Sequence, residues 1–304
     1  MRMRRGFTLV ELIVVIAVTG VLATSVTMFL LPAINNYFDT KRRANLTDMA
    51  DTALRRMSQD IRRAVPNSVV VIAPQAGDSF TACFSLVPTS FGGRYRTAPD
   101  TANDASTCTY TSPSATCSQP MMSGLKATDI PAFDVLTMSP TPSATSPSVN
   151  DFVVIGNQNG NDVYVGSDRS AIATLGTPRT TDGMLRVTMA AGTSPLPIGY
   201  DQGRFVIVAQ GEQVVYYSCS GNQLLRNVAT FAAFKANSRA GCGAGVPVAS
   251  VQAKVAGDGV SCTVTYDPGA TVTEQNGLVW MNVSLTESGE AVALSHSTNV
   301  PNVP

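Results

Sequence analysis

The strongest pattern along the chain is an apolar run near the N-terminus. Between residues 12 and 35 no side chain is ionisable, and basic residues precede the run. A helix rises 1.5 Å per residue, so this run is long enough to cross a hydrocarbon layer of about 30 Å. We therefore predict a transmembrane helix over residues 7–31.

A second pattern follows directly. Between residues 46 and 65 apolar side chains recur at steps of three and four, which is typical of an amphipathic helix. We predict that the helix continues over residues 32–66 and buries Leu54, Met57 and Ile61. Its Arg and Asp residues are interpreted as a solvated face. Pro32 predicts a kink or local unwinding within the helix.

After residue 67 the pattern changes to short β-rich runs separated by Gly, Pro, Ser and Asn. We predict hairpins at Gly211-Glu212 and at residues 287–289, and surface loops over residues 97–124 and 139–150. The expected fold class is α+β, with a long N-terminal transmembrane spine helix followed by a largely antiparallel β-sheet domain over residues 67–304. The predicted strands are residues 68–73, 80–87, 133–138, 152–156, 162–166, 184–189, 204–209, 213–219, 223–228, 260–266, 278–286 and 291–296.

The charge balance changes what the chain is expected to bind. There are 21 basic and 21 acidic residues, which does not indicate a nucleic-acid partner. Only 14% of residues are charged, as in many exported β-rich proteins. Arg2, Arg4 and Arg5 favour a cytoplasmic N-terminus with the body outside, although three basic residues after the apolar run compete with this orientation.

Six cysteines all lie in the predicted β-rich domain, and none forms a C-x-x-C pair. Disulfides in an oxidising compartment are favoured over zinc, which usually takes closely spaced ligands and often histidine. Local closure predicts a Cys108–Cys117 disulfide. For the other four, we favour Cys242–Cys262, with Cys83–Cys219 as the remainder.

Few residues offer other chemistry. The only histidine, His296, lies in a predicted strand without a nucleophile motif, so we expect a structural histidine, no enzyme activity and no cofactor. The oxygen-rich residues 157–162 lack the spacing of a calcium loop, and a hairpin turn at Asn159-Gly160 is favoured. Residues 241–245 are interpreted as a disulfide-tethered loop rather than a phosphate-binding loop.

Glu11 is the unusual residue of the N-terminal segment. A carboxylate carried into a membrane helix costs about 2.5 to 3.5 kcal/mol at the membrane centre, so it normally implies a partner. An ordinary secretory signal peptide, cut near residues 21–23, needs no such residue. Glu11 therefore argues against that alternative.

The run Gly6-Phe7-Thr8-Leu9-Val10-Glu11, placed after a basic leader and before an apolar helix, resembles the signal of type IV prepilins and type II secretion pseudopilins. The resemblance implies a leader over residues 1–6, cleavage after Gly6 by prepilin peptidase, methylation of Phe7 and a role of Glu11 in assembly. It also implies as partners other major and minor pilins, the pilus assembly platform and the inner membrane. Assembly would move the subunit from that membrane into an extracellular filament.

The body carries a further resemblance. Residues 150–155, 203–208, 277–280 and 299–304 are similar to the MshO family of minor pilins from mannose-sensitive haemagglutinin (MSHA) type IV pili. The spine residues 53–62 resemble the helix shared by the MshO, PilW and pseudopilin J families. We expect a minor pilin that primes or caps the filament. A type II secretion pseudopilin and a membrane-anchored periplasmic binding or adhesion module are the alternatives.

Overall fold

A computed structural model describes residues 8–110, 116–121, 132–141, 147–176, 184–190, 196, 203–268 and 276–301. These described residues form one long helix followed by strands and two short helices. In chain order the elements are α1 (Leu9–Arg62), β1 (Val70–Ile72), β2 (Ala82–Leu86), β3 (Phe91–Tyr95), β4 (Ala132–Ser139), β5 (Phe152–Val154), α2 (Asp162–Val165), β6 (Arg169–Leu175), β7 (Arg186–Met189), β8 (Arg204–Val208), β9 (Val214–Ser220), β10 (Gln223–Ala229), α3 (Phe231–Ala236), β11 (Val246–Ser250), β12 (Gly259–Asp267), β13 (Asn276–Glu287) and β14 (Glu290–Pro301).

Helix α1 has 54 residues and is therefore about 80 Å long. It continues through Pro32 without a break, so the local unwinding considered above is absent. None of the described residues before Leu46 is buried, whereas the second half presents an apolar stripe to the body. The predicted burial of Leu54, Met57 and Ile61 is confirmed.

Two antiparallel sheets share one hydrophobic core with the second half of α1. One has the strand order β1-β2-β9-β10-β11, and the other has the order β12-β13-β14. Strand β14 follows α1 in the same direction, since Glu290 pairs with Arg43 and Thr298 accepts a hydrogen bond from Arg62 at 3.2 Å. The tip of the β13–β14 hairpin therefore lies toward the apolar half of α1.

A closed six-stranded barrel forms a separate layer, with strand order β3-β4-β7-β6-β5-β8. All its strand pairs are antiparallel. The barrel is inserted between β2 and β9, which are hydrogen-bonded neighbours in the five-stranded sheet. It has its own core, in which Phe133 packs between Tyr95 and Phe205. Together with α1 and the two sheets, the barrel confirms the predicted α+β fold of a long helix followed by antiparallel sheets.

The barrel contacts the end of α1 that is far from the apolar half. The Asn67 side chain donates to the backbone oxygen of Asn157 at 2.9 Å, and the Asn157 side chain donates to the backbone oxygen of Pro66. The backbone N–H of Thr89, two residues before β3, donates to the backbone oxygen of Arg63 at 2.7 Å. These bonds place the barrel at the distal end of the spine.

Several predicted elements were wrong. Residues 162–166 were expected to form a strand, but they contain helix α2, and the β5–β6 connection is therefore not a tight turn at Asn159-Gly160. The Gly211-Glu212 segment is not a hairpin, because it joins barrel strand β8 to sheet strand β9 and these two strands do not pair. The predicted hairpin at residues 287–289 does join the paired strands β13 and β14.

Three strands and one helix were not predicted, namely β3, β6, β11 and α3. Strand β3 has a weak sequence signal because two of its five residues are glycine. The structure explains Gly93, since a Cβ there would lie 2.0 Å from the Thr137 backbone oxygen and 2.9 Å from the Phe205 ring. Close packing in the barrel therefore requires glycine at position 93, although glycine has a low propensity for β-strands.

Candidate functional site

The first described residues form the N-terminal cap of α1. Thr8 accepts a hydrogen bond from the Glu11 backbone N–H at 3.3 Å, and a Glu11 carboxylate oxygen accepts from the Thr8 backbone N–H at 3.2 Å. This is a capping box, which satisfies two otherwise unpaired donors at the helix start. Gly6 and Phe7 lie outside the described residues. Glu11 is exposed on the helix surface and therefore open to contact with another molecule.

The helix surface after Glu11 is apolar and exposed on all sides. An 18-residue window within α1 has a mean hydropathy of 2.4, and none of that window is buried in the protein. Thr19, Thr24 and Thr27 lie within this part, but their hydroxyls donate to backbone oxygens of the preceding turn. The helix is long and apolar enough to cross a membrane.

Residues 1–27 match the prokaryotic N-terminal methylation motif. This supports a type IV pilin-like protein. The match covers the basic leader, the capping box and the first half of the apolar helix, so it supports a pilin or pseudopilin without specifying which machine the chain joins. No curated protein matches the chain, and no solved structure does. Motif and exposed helix together support a membrane-anchored pilin-like protein whose general partners are other pilins and a prepilin peptidase.

Three disulfides tie the body of this pilin-like chain. The structure joins Cys108 to Cys117, the predicted local pair, with their Cα atoms 5.7 Å apart. The other two predicted pairs, Cys242–Cys262 and Cys83–Cys219, are wrong. The structure instead contains Cys83–Cys242 and Cys219–Cys262.

Strand register explains this correction. Cys83 on β2 lies opposite Ser218, and Cys219 on β9 lies opposite Ala82. Successive side chains of a strand point to opposite faces, so Cys83 and Cys219 lie on different faces of the sheet despite their proximity. Cys219 faces the core shared with α1, where it meets Cys262 on β12. Cys83 faces the second core, where it meets Cys242.

A buried charge network holds the spine to the five-stranded sheet, and the sequence interpretation missed it. Asp60 of α1 is 5% exposed. Its carboxylate accepts hydrogen bonds from Tyr217 at 2.7 Å, Arg226 at 3.0 Å and Arg63 at 2.8 Å. Glu212 pairs with both arginines. Asp60 is thus not part of a solvated face. The only sequence signal for this network was a charged residue within an otherwise apolar contact.

The same network perturbs Tyr217. Burial, together with the neighbouring Asp60 carboxylate, raises the pKa of the Tyr217 phenol above its usual range. The phenol therefore stays protonated and donates to Asp60, while its ring stacks on Phe84 with centroids 5.4 Å apart. Packing and hydrogen bonding thus act at one residue to fix the helix on the sheet.

Side chains of the oxygen-rich segment at residues 157–162 are hydrogen-bonded to other groups of the protein. The Asn157 side-chain oxygen accepts from the Val163 backbone N–H at 3.2 Å, and Asn159 donates to an Asp162 carboxylate oxygen at 2.8 Å. Within the part of the chain that the structure describes, no group of three or more His, Cys, Asp or Glu residues is arranged to hold a metal ion. The segment bonds to the chain just after the spine and leads into α2.

Asp168 follows that segment and is 1% exposed. Neither of its carboxylate oxygens has a hydrogen-bond partner among the described residues. Burial, with a smaller contribution from Asp162, raises the pKa of Asp168 to about 7. Burial in the native fold therefore favours the protonated acid far more than the surroundings of an ordinary aspartate do.

His296 and the glycine-rich loop have structural surroundings. The His296 Nε2 atom lies 3.3 Å from the Ser58 hydroxyl, within the contact between β14 and α1. The loop at residues 241–245 is held by the Cys83–Cys242 disulfide, as a tethered loop would be. Gly241 packs flat on Tyr216, whose ring atoms lie 2.3 to 2.5 Å from where a Cβ would stand. Both features contribute to packing.

Proposed function

We propose that this protein is a minor pilin of an MSHA-type type IV pilus, made as a prepilin and assembled to prime or cap the filament. The observation that carries the proposal is the methylation motif over residues 1–27, which leads into an apolar helix with no cover from the protein's own body. The resemblance of residues 150–155, 203–208 and 277–280 to MSHA minor pilins supports the choice of this machine over type II secretion.

Processing creates the charge that assembly uses. Cleavage after Gly6 turns a neutral amide nitrogen of Phe7 into an amine, which is then methylated and remains cationic. Glu11 is the acid nearest this new cation in the sequence. Among the packed apolar helices of a filament an unpaired carboxylate costs several kcal/mol, and a cation from a neighbouring subunit recovers much of that cost. Assembly would therefore wait for the peptidase, and the pair would set the stagger between subunits.

The capping box gives Glu11 a competing local role. Its carboxylate already accepts from the Thr8 backbone N–H, so the residue also stabilises the helix start. Glutamine fills the same position in capping boxes without a charge. Replacement by glutamine therefore separates helix capping from intermolecular charge pairing.

The barrel supports a place at the filament tip. It lies at the end of α1 opposite the membrane half, and it adds a second cored unit to the subunit. At the tip no further subunit is added above, so a subunit there has space for this additional unit. The role is structural, with no catalysis and no cofactor, and the chain would lie in the inner membrane with its C-terminus outside before assembly.

The test compares Glu11→Leu and Glu11→Gln with the wild type. Both variants are expected to insert and to be cleaved after Gly6, but to be missing from sheared pili in an immunoblot. Incorporation of Glu11→Gln at the wild-type level would mean that Glu11 only caps the helix. Normal assembly of uncleaved Gly6→Ala would refute the processing step.

Deletion of the gene tests the choice of machine. We expect loss of surface pili with protein secretion unchanged. Loss of secretion with normal pili would reject the MSHA assignment in favour of the pseudopilin alternative.

A further inference from the structure

Two aromatic residues and three basic residues lie between the apolar helix and the folded body. Tyr37 and Phe38 are 64% and 54% exposed, with ring centroids 5.7 Å apart in an edge-on contact. Lys41, Arg42 and Arg43 follow one turn later. An aromatic pair that contains an amphipathic tyrosine, followed by long basic side chains, is typical of the membrane–water interface. We call residues 37–43 the juxtamembrane segment.

The length of the helix places this segment at the bilayer surface. Residues 12–38 carry no charge, and at 1.5 Å per residue they span about 40 Å. A bilayer is about 30 Å thick across its hydrocarbon and about 40 to 45 Å with its headgroup regions. The uncharged run therefore matches the full bilayer. Glu11 then lies at the outer edge of one headgroup region, and Lys41 lies about 5 Å beyond residue 38 at the outer edge of the other.

The body begins directly above this level. Leu46 is the first buried residue of α1 in the described part of the chain. Glu290, at the tip of the β13–β14 hairpin, pairs with Arg43. The folded body therefore reaches down to the juxtamembrane segment.

The segment retains positive charge and free donors. Arg42 pairs with Asp39 at 2.9 Å through one nitrogen, and Arg43 pairs with Glu290 through Nε. Each guanidinium has five N–H donors, so both keep donors for another anion. Lys41 is exposed and has no ion pair among the described residues. A phosphate-bearing headgroup matches these donors in charge and geometry.

We propose that residues 37–43 dock on the anionic phospholipid headgroups of the leaflet that faces the folded body. Tyr37 and Phe38 lie in the headgroup region, and the long side chains of Lys41, Arg42 and Arg43 reach back to headgroup phosphates. The proposal rests on the membrane anchoring in the proposed function, but not on assembly or on the identity of the machine. Its consequence is that the bilayer fixes the height of the body before the subunit enters a filament.

Depth is measured on the full chain in lipid nanodiscs. Phe38→Trp is made in a Trp280→Phe background, because Trp280 is the only native tryptophan and lies half-exposed on β13. Lipids brominated near the headgroup are expected to quench the tryptophan introduced at position 38 more strongly than lipids brominated deep in the chains. Thr47→Trp in the same background is the control, about 14 Å further along the helix, and should not be quenched.

Lipid class is measured by native mass spectrometry of the full chain released from mixed phosphatidylglycerol and phosphatidylcholine nanodiscs. The wild type is expected to retain phosphatidylglycerol preferentially, and Lys41→Gln to lower this preference by about fivefold, as expected for about 1 kcal/mol per basic residue at an anionic surface. Arg56→Gln, an exposed cation further along α1, should not change it.

Equal quenching of the two introduced tryptophans, or a lipid preference unaffected by Lys41→Gln, would overturn the proposal. Protection of the juxtamembrane segment from protease only in assembled filaments would also overturn the proposal, because the segment would then contact a neighbouring pilin and not lipid. Failure of the chain to insert into any bilayer would instead reject the membrane anchoring of the proposed function. Protection of the apolar helix from protease in the nanodisc would show that the chain is inserted, so a negative quenching or lipid result would then count against the proposal and not against the membrane anchoring.

Discussion

Replacement of Asp60 by alanine tests how the spine is attached to the body. The change removes a carboxylate that three donors share and leaves Arg226, whose side chain is 11% exposed, without a main acceptor. Breaking a buried charge pair from one side costs about 3 to 5 kcal/mol, because the remaining charge stays desolvated. Glu212 still pairs with Arg226, so we expect a value near the lower end.

The control lies on the same helix. Asp51 pairs with Arg55 at 2.6 Å, but both side chains are largely exposed, at 47% and 73%. Exposed pairs of this kind contribute about 0.3 to 0.5 kcal/mol. Asp51→Ala should therefore change the free energy of unfolding by less than about 1 kcal/mol. The two variants remove the same chemical group and differ in its burial and partners.

The assay is urea unfolding of the full chain in mild detergent, with disulfides intact, followed by near-ultraviolet circular dichroism. Tyr217 stacks on Phe84 beside the network, so this signal reports the packing in question. We expect a lower midpoint for Asp60→Ala at an unchanged slope. If Asp60→Ala cost no more than Asp51→Ala, the network would not hold the spine to the sheet and the reasoning would be wrong.

Three further predictions concern the body and its contact with the spine. The pKa of Asp168 is about 7 in the folded state and has its ordinary value in the unfolded state. The contribution of the protonated carboxyl to stability is therefore complete below about pH 4 and is lost as pH rises through 7. Relative to Asp168→Asn, the wild type should lose up to about 4 kcal/mol between pH 4 and pH 8 in urea titrations, and parallel pH profiles would contradict this. Non-reducing peptide mapping should find Cys219 joined to Cys262, and a Cys83–Cys219 peptide would refute the strand register. Ile61→Ala should cost about 2 to 5 kcal/mol in the same unfolding assay, because this side chain is fully buried, and a loss below about 1 kcal/mol would contradict its packing role.

The spine helix was predictable because its signals are local and repeated. A long apolar run and a stripe at steps of three and four specify a helix whatever the rest of the chain does. Its end was less predictable. The helix stops at Arg62 rather than near residue 66, because the Val65 backbone N–H bonds to Val87 after β2. That bond depends on a segment distant in sequence.

The barrel and the disulfides could not be derived from local pattern. Strand β3 contains glycines, and the reason for Gly93 is visible only in the folded barrel, where neighbouring strands leave no space for a side chain. The cysteine pairing depends on a register in which a shift of one residue exchanges the faces of the sheet. The burial of Asp60 also depends on distant parts of the chain, since two of its three donors come from β9 and β10 and the third from the end of α1 itself. Each of these features needs tertiary neighbours that periodicity does not specify.

The proposed assembly site, in contrast, rests on a local signal. The roles proposed for Gly6, Phe7 and Glu11 come from a short contiguous motif, and residues 1–27 match the methylation motif as a unit. The structure adds the capping box, which assigns Glu11 a local role that the motif alone does not suggest. The resemblance of the body to MSHA minor pilins involves separate short runs and stays a prediction.

The most direct test of the account is the mass of the N-terminal peptide of the protein extracted from membranes of cells that contain a prepilin peptidase. The account predicts a peptide that begins at Phe7 and carries one added methyl group on its amine. A peptide that begins at Met1 would contradict processing. A peptide that begins just after residues 21–23 would show an ordinary signal peptide and would remove Glu11, the helix anchor and the filament role together.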